Sequence, residues 1–123
     1  MKNKLNIFFF ILVVLIIFFI TYKSLQPTKF GEEFLNQIYI ADSDENFKNL
    51  KDKDIIEIGK NICNSAEEWQ NADDSLLNIS KILLTFGIEL ESTNRIIPIL
   101  RFQSIYELCP EKVSVLENLF QNE

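Results

Sequence analysis

The sequence contains no histidine, and this absence excludes more chemistry than any other feature of its composition. Without histidine the chain lacks the commonest general acid or base, the Ser–His and Cys–His nucleophile pairs, and the usual nitrogen ligand of zinc or haem. Only three glycines and three prolines occur among 123 residues, which favours a helical chain. We expect no catalytic, cofactor-binding or metal-binding residues, no cofactor and no enzyme activity.

Charge is missing from one long run near the start of the chain. The eighteen residues from Leu5 to Tyr22 include no charged side chain and are mostly Phe, Ile, Leu and Val. A membrane-spanning helix needs about 20 apolar residues, with a range of roughly 17–25. A helix that is apolar on every face is unsuited to the surface of a small soluble domain. We therefore expect residues 5–22 to contact a membrane.

The end of this run favours an uncleaved anchor over a cleaved signal peptide. Signal peptides have a shorter apolar region, roughly 7–15 residues, followed by small residues at the cleavage site. Bulky Tyr22 and Leu25 stand where small side chains would be needed. Residues 1–24 are thus predicted to be a signal anchor, with cleavage near residues 21–27 and secretion as the alternative. Residues 25–29 would form a tether, and residues 30–123 a helical domain.

Flanking charge predicts the orientation of this anchor. Lys2, Lys4 and the amino terminus precede the apolar run, whereas Lys23 follows it. Basic residues beside a spanning helix tend to stay in the cytoplasm. The pattern predicts a single-pass protein of the cell membrane, with its C-terminal domain outside the cytoplasm.

The remainder of the chain is strongly acidic. Three of the twelve Lys and Arg lie in the first 24 residues, whereas all eighteen Asp and Glu follow, so residues 25–123 carry a net charge of −9. Binding to nucleic acid requires Lys and Arg that displace counterions from phosphates. We therefore expect no nucleic-acid partner.

The two cysteines, Cys63 and Cys109, both lie in the part predicted to be external. In an oxidising compartment a pair this far apart in sequence indicates a disulfide. Closing so long a loop would stabilise the domain by roughly 4 kcal/mol in the chain-entropy model. The alternative, two independent reactive thiols, finds less support because neither cysteine has a histidine neighbour or a Cys-x-x-Cys spacing.

Apolar periodicity predicts an all-α fold: a small bundle of four to five helices closed by one disulfide, after the N-terminal transmembrane or signal helix. Thr28 would cap the first helix, which ends near Ala41. The second would be capped by Asp52 or Asp54, with Asp54 and Glu57 in capping-box spacing, and would continue to Trp69. Gly59 inside it suggests close approach by another helix. The inward stripes of these two helices are Phe30, Phe34 and Ile38, and then Ile55, Ile58, Ile62, Cys63, Ala66 and Trp69.

The later helices follow from turn signals. A third helix would cover Ser75 to Phe86, and Gly87 would end it in the left-handed conformation. Pro98 must lie in or before the first turn of a fourth helix, which places the start of that helix near Ile96 or Ile97. Pro110 would stop it and start a fifth. The expected inward residues of these three helices are Leu76, Ile79, Leu83 and Phe86, then Ile99, Phe102, Tyr106 and Cys109, and finally Val113, Leu116, Leu119 and Phe120.

Several acidic groups resemble sites and have simpler explanations. The segment Asp42–Asn46 suggests a calcium loop, but Phe47 and Lys53 occupy the positions that require Gly and a bidentate Glu. We interpret it as a solvated loop. The pairs Glu67–Glu68 and Asp73–Asp74 are interpreted as helix caps and exposed faces, since adjacent carboxylates on a helix point apart.

Five other residues suggest recognition roles. Trp69 and Tyr106 could mark a binding surface, but both follow core stripes, so we expect core packing. Asn78 begins an N-glycosylation triplet that falls within a helix. Arg95 and Arg101 flank the apolar run from 96 to 100 and are weak candidates for a partner contact.

The helix ending Gly59-x-x-x-Cys63, the segment Tyr106-x-x-Cys109-Pro110 and the earlier Glu33-Phe34-Leu35 together carry a resemblance. Over residues 30–111 the chain resembles the small secreted two-cysteine helical domain of mycobacteria and related actinobacteria, domain of unknown function 732. Leu108 replaces the tyrosine that this family has beside its second cysteine. The resemblance implies a bacterial exported protein, a helical fold and a disulfide between Cys63 and Cys109. It implies no activity.

Together these observations predict a non-enzymatic domain of the cell envelope that contacts an unknown envelope protein. The alternative is a carrier that holds a small apolar, lipid-like ligand between helices rich in Phe and Ile.

Overall fold

The computed structural model describes residues 2–25 and 30–121, with side chains over residues 3–21 and 30–121. Of the predicted tether, residues 25–29, only Leu25 is among the described residues, and the predicted cap at Thr28 lies outside them. Within them the chain is all-α, as predicted, and a disulfide joins Cys63 to Cys109. The helices are α1 (Lys2–Leu25), α2 (Glu32–Ala41), α3 (Asp52–Ser65), α4 (Ala72–Thr85), α5 (Ile96–Gln103) and α6 (Val113–Gln121).

Helix α1 is a single uninterrupted helix of 24 residues. At 1.5 Å per residue it is about 36 Å long, which exceeds the roughly 30 Å of a bilayer's hydrocarbon core. Its segment Asn3–Thr21 has a mean hydropathy of 2.7 and no buried residue. The Thr21 hydroxyl donates to the carbonyls of Ile17 and Phe18, at 3.0 and 2.9 Å, which satisfies this polar group within the helix.

Helix α2 begins later than predicted. Gly31 has a left-handed backbone (φ 80°), and its carbonyl accepts a hydrogen bond from the amide of Leu35 at 2.9 Å. The chain therefore turns before Glu32, and Phe30 remains 60% exposed, so its predicted core position is wrong. The other two residues of the stripe, Phe34 and Ile38, are fully buried as predicted.

Helix α3 has the predicted apolar face, but it is shorter than predicted. The predicted cap is wrong, because the N-cap residue is Lys51 and both Asp52 and Asp54 lie in the first turn of the helix. Asp54 accepts a hydrogen bond from the Lys51 amide at 3.4 Å, so the N-terminal bond involves these two residues and not Glu57. The helix ends at Ser65, and a 3₁₀ turn over Ala66–Glu68 follows. The helix prediction for Trp69 is wrong, since its backbone is extended. The buried face of α3 comprises Ile55, Ile58, Gly59, Ile62 and Cys63.

Helix α4 is defined by hydrogen bonds at both ends. It starts earlier than predicted because the side chain of Asn71 accepts the amide of Asp74 at 2.8 Å, which caps the first turn. At the other end Gly87 has φ 79°, as predicted. The Ile88 amide donates to the Leu83 carbonyl over 3.1 Å, which completes a Schellman motif.

Helix α5 begins at Ile96 as predicted, but its buried face differs from the predicted one by about one residue, or about 100°. Arg101 is buried, whereas Tyr106, which was predicted to face inward, is 49% exposed. A π-helical turn over Ser104–Leu108 then carries the chain to Cys109. The residues that face inward are Ile96, Ile97, Leu100, Arg101, Ser104 and Ile105.

The core lies between α2, α3, α4 and the α5–π segment, and α6 covers one side of it. Phe47 and Leu50 connect the loop between α2 and α3 to this core, and Phe47 is fully buried. In α6, Leu116 and Leu119 are buried as predicted, whereas Phe120 is 40% exposed. Helices α2–α6 therefore form a five-helix bundle, and the last helix, α6, is only partly buried against the core.

Candidate functional site

The disulfide lies where the end of α3 meets the end of the α5–π segment. The Cα atoms of Cys63 and Cys109 are 6.2 Å apart, and both side chains are buried. Their sulfur atoms lie 3.3 and 3.6 Å from the carbonyl oxygen of Ser104. Lys112 donates from Nζ to the Cys63 carbonyl at 2.8 Å, which satisfies a group near the C-terminal end of α3. Burial and these contacts give the cysteine pair a structural role.

Gly59 permits the close helix contact that brings the two cysteines together. A Cβ atom built on Gly59 would lie 2.8 Å from Cζ of Phe34 and closer still to the side chain of Leu108. Both neighbours belong to other elements, one on α2 and one at the end of the π-helical turn. The predicted close approach at this glycine is confirmed.

The acidic segment after α2 is organised by one aspartate. Oδ1 of Asp42 accepts from the backbone and side-chain nitrogens of Asn46, at 2.9 and 3.0 Å, and Oδ2 accepts from the amide of Phe47 at 2.9 Å. Its carboxylate therefore ties the loop to the core through backbone amides. The described residues contain no group of three or more acidic or cysteine side chains that could hold a metal ion.

A second aspartate, Asp52, links α3 to α2. The Tyr39 hydroxyl on α2 donates a hydrogen bond to Asp52 at the start of α3. This hydrogen bond, with partial burial and the nearby negative charge of Asp52, raises the pKa of Tyr39 to about 12. The phenol is therefore a donor that links helix ends and is poorly suited to act as a base at neutral pH.

The two carboxylate pairs occupy helix starts and exposed faces. Asp73 and Asp74 lie in the first turn of α4, where negative charge is favourable. Asp74 also accepts the Gln70 amide at 3.1 Å. Glu67 lies 3.8 Å from Nζ of Lys112 and is largely exposed. These positions match the predicted capping and surface roles.

The two aromatic candidates have opposite environments. Trp69 is buried, and its Nε1 donates to Oδ1 of Asn78 at 3.2 Å, so core packing is confirmed for it. The same bond places the amide of the predicted glycosylation triplet against the indole. Core packing is wrong for Tyr106, which lies 6.3 Å from Phe102 by ring centroids, in a stack that Phe120 continues.

The two arginines are held within the domain. Arg95 donates to the Ala41 carbonyl at 2.9 Å and to the side chain of Ser43. Arg101 is only 4% exposed, which is incompatible with the predicted partner contact. Its Nη1 donates to the carbonyl of Ala72 and to Oγ of Ser75, at 3.2 and 2.7 Å. Its guanidinium also lies 5.2 Å from the Phe102 ring.

A polar groove of about 420 Å³ runs between α3 and α4, and sequence reasoning did not identify it. Its lining is dominated by amides and hydroxyls and includes one acidic and one basic side chain. The polar residues on each side of the groove recur at spacings of three, four and seven, which places them on one face. The lining residues are Asn61, Asn64, Ser65, Glu68, Asn78, Lys81, Ile82 and Thr85.

A second groove, of about 440 Å³, lies on the other side of Lys81. Ser80 donates to the carbonyl of Leu90 at 2.8 Å and joins α4 to the loop that forms its far wall. Leu84 contributes exposed apolar surface, and Glu89 and Glu91 add negative charge to the lining. Neither groove has the enclosed apolar lining of a lipid pocket.

Comparison with protein-family models, curated proteins and solved structures finds no match to this chain.

Proposed function

We propose that this protein is a non-enzymatic, single-pass protein of the cell envelope whose helical domain lies outside the membrane and contacts another envelope component. The observation that carries the proposal is α1. Residues 7–20 of this helix are all apolar, and its segment Asn3–Thr21 buries no residue against the domain. Exposing this surface to water would cost about 25 cal/mol for each Å², so a membrane is the environment that it fits.

The disulfide supports the external placement of the domain. Disulfides form and persist in oxidising compartments and are rare in the cytosol. Cys63 and Cys109 both follow α1 in the chain, on the side that the lysine pattern directs outward. Membership of the two-cysteine family named above is part of the same proposal, and it would also place the domain outside the cell.

Packing favours an interaction domain over a carrier of a small apolar ligand. Large side chains that would line a cavity between helices, including Phe34, Phe47, Ile58 and Leu100, are fully buried against one another. A carrier would need this volume for its ligand. Native mass spectrometry of the full chain released from detergent separates the two roles, since a carrier would retain the mass of a bound lipid.

Membrane fractionation and topology mapping test the proposed placement. After an alkaline wash we expect the full-length chain to remain with the membrane. A protease added outside intact spheroplasts should digest the domain, and a thiol reagent should label the cysteines only after reduction. A shorter chain in the medium would establish the secreted alternative. Recovery of the intact chain in the cytosol, with both thiols reactive, would overturn the proposal.

A further inference from the structure

We propose that the groove between α3 and α4 binds a neutral oligosaccharide. Two polar stripes form its walls. On the α3 side Asn61, Asn64 and Glu68 share a face, and on α4 Asn78 and Thr85 lie two turns apart on the same face. Seven residues of helix span about 10 Å, so the walls are long enough to contact a short chain of linked sugar rings.

The hydrogen-bonding capacity of the groove is mixed. Oδ1 of Asn78 already accepts the indole of Trp69, so its amide nitrogen presents donors. Ser65 and Thr85 donate their hydroxyl protons to carbonyls of their own helices, at 2.9 and 2.6 Å, so their oxygens present acceptors. The groove thus offers donors from one wall and acceptors from both.

Two further amides add both kinds of group. Within residues 30–121, the side chains of Asn61 and Asn64 form no hydrogen bond with another residue, and Asn64 is exposed. Each amide can donate twice and accept twice. A sugar hydroxyl is likewise both donor and acceptor, so a chain of hydroxyls would match such a lining closely.

Charge distinguishes this groove from the rest of the domain. Glu68 and Lys81 contribute one charge of each sign, so the lining is neutral although residues 25–123 carry a net charge of −9. An anionic ligand would be repelled by the domain, and a cationic one would find more favourable surface elsewhere. A neutral ligand is neither repelled by the acidic surface nor attracted to it.

The inference rests on the proposed external placement of the domain, because polysaccharides are found on that side of the membrane. It is tested with the full chain in lipid nanodiscs, without sugar-based detergents. The probes are chitotetraose and maltotetraose, and the measurement is the nuclear magnetic resonance shift of the side-chain amides of Asn61, Asn64 and Asn78. We expect saturable shifts with at least one of the two probes.

The matched variants are the double substitution Asn61→Ala with Asn64→Ala, and Asn36→Ala on the exposed face of α2. We expect the double variant to bind about tenfold more weakly, since two hydrogen bonds are lost, and Asn36→Ala to bind like the wild type. High salt should change the affinity by no more than about twofold. Trp69 fluorescence would verify that each variant is folded.

Three results would overturn the inference: no shift with either probe, equal binding by the double variant, or the same shifts with a short neutral Gly–Ser peptide. Because the purified chain binds or fails to bind whatever its cellular location, this experiment is independent of the topology mapping. Binding with a cytosolic domain would refute the proposed placement alone.

Discussion

Ser75 and Ser104 are fully buried hydroxyls on neighbouring helical segments, and they differ in their hydrogen bonds. Oγ of Ser75 donates to the Ala72 carbonyl at 2.5 Å and accepts from Arg101 at 2.7 Å. Oγ of Ser104 has no hydrogen-bond partner in the described part of the chain. A buried hydroxyl without a partner is destabilising, whereas one that satisfies a buried guanidinium is stabilising.

We therefore predict opposite effects for two alanine substitutions. Ser104→Ala should raise the free energy of unfolding by about 1 kcal/mol, and Ser75→Ala should lower it by about 1–3 kcal/mol. Urea unfolding followed by the fluorescence of Trp69, the single tryptophan, measures both. Destabilisation by Ser104→Ala would mean that its hydroxyl has a partner after all.

Gly59→Ala tests the close contact beside the disulfide. Alanine favours a helix over glycine by up to about 1 kcal/mol, but the new methyl group would press on Phe34 and Leu108. Overpacking a filled core costs about 1–3 kcal/mol, and Phe34 is fully buried. We expect a net loss of about 1 kcal/mol, against almost no change for the exposed control Asn64→Ala. Equal or greater stability of Gly59→Ala would show that the neighbours move aside.

The link between Tyr39 and Asp52 predicts a pH dependence. The pKa of Tyr39 in the folded state is about 12, which exceeds the ordinary value of 10.0. The contribution of this link to stability is therefore complete below pH 10 and is lost as the pH rises towards 12. The stability difference between the wild type and Tyr39→Phe should shrink over that interval. Subtracting the tyrosinate absorbance of Tyr39→Phe from that of the wild type isolates the ionisation of Tyr39, and we expect this difference to have its midpoint near pH 12. A midpoint at the ordinary value of 10.0 would exclude the hydrogen bond.

At the scale of elements, α5 shows how tertiary contacts select one face of an ambiguous helix. Apolar residues occupy both sides of its sequence, so Ile99 and Phe102 formed a plausible inward stripe. In the structure the inward face includes Arg101, because α4 presents a carbonyl and a hydroxyl to its guanidinium. Hydrophobic periodicity assigns charged residues to the surface and has no means of recognising such a partner.

The disulfide connects two elements, α3 and the end of the π-helical turn, and its loss should loosen both. Cys63 and Cys109 are 46 positions apart in sequence. Removing a link of this length should lower the free energy of unfolding by roughly 2–5 kcal/mol. Urea unfolding with and without a thiol reductant measures the effect, and the double variant Cys63→Ser with Cys109→Ser serves as the reductant-insensitive control. An unchanged midpoint in reductant would mean that the bond adds nothing to the fold.

At the scale of the whole molecule, α1 should act independently of the domain. We expect residues 1–24, fused to a cytosolic reporter, to hold that reporter in the membrane through an alkaline wash. The substitution Val14→Arg in the middle of the segment should weaken insertion, since arginine at the centre of a spanning helix costs about 2.5–3.5 kcal/mol. A reporter that is released by the wash would show that the segment does not anchor.

Residues close together in the chain were enough to predict the helical class, the N-terminal apolar helix and the left-handed backbone of Gly87. Gly59 signalled a close contact, but the sequence could not show that Phe34 and Leu108, both distant in the chain, make it. The apolar stripe of α3 was predicted for the same reason. In α4 the apolar residues occupy more than one face: Ile79 and Leu83 are buried, whereas Leu84 is exposed. The burial of Arg101, the exposure of Phe30 and Tyr106, and the groove between α3 and α4 arise from contacts between distant parts of the chain. Those features depend on which distant groups meet, and hydrogen-bond partners across helices leave no periodic signal in the chain.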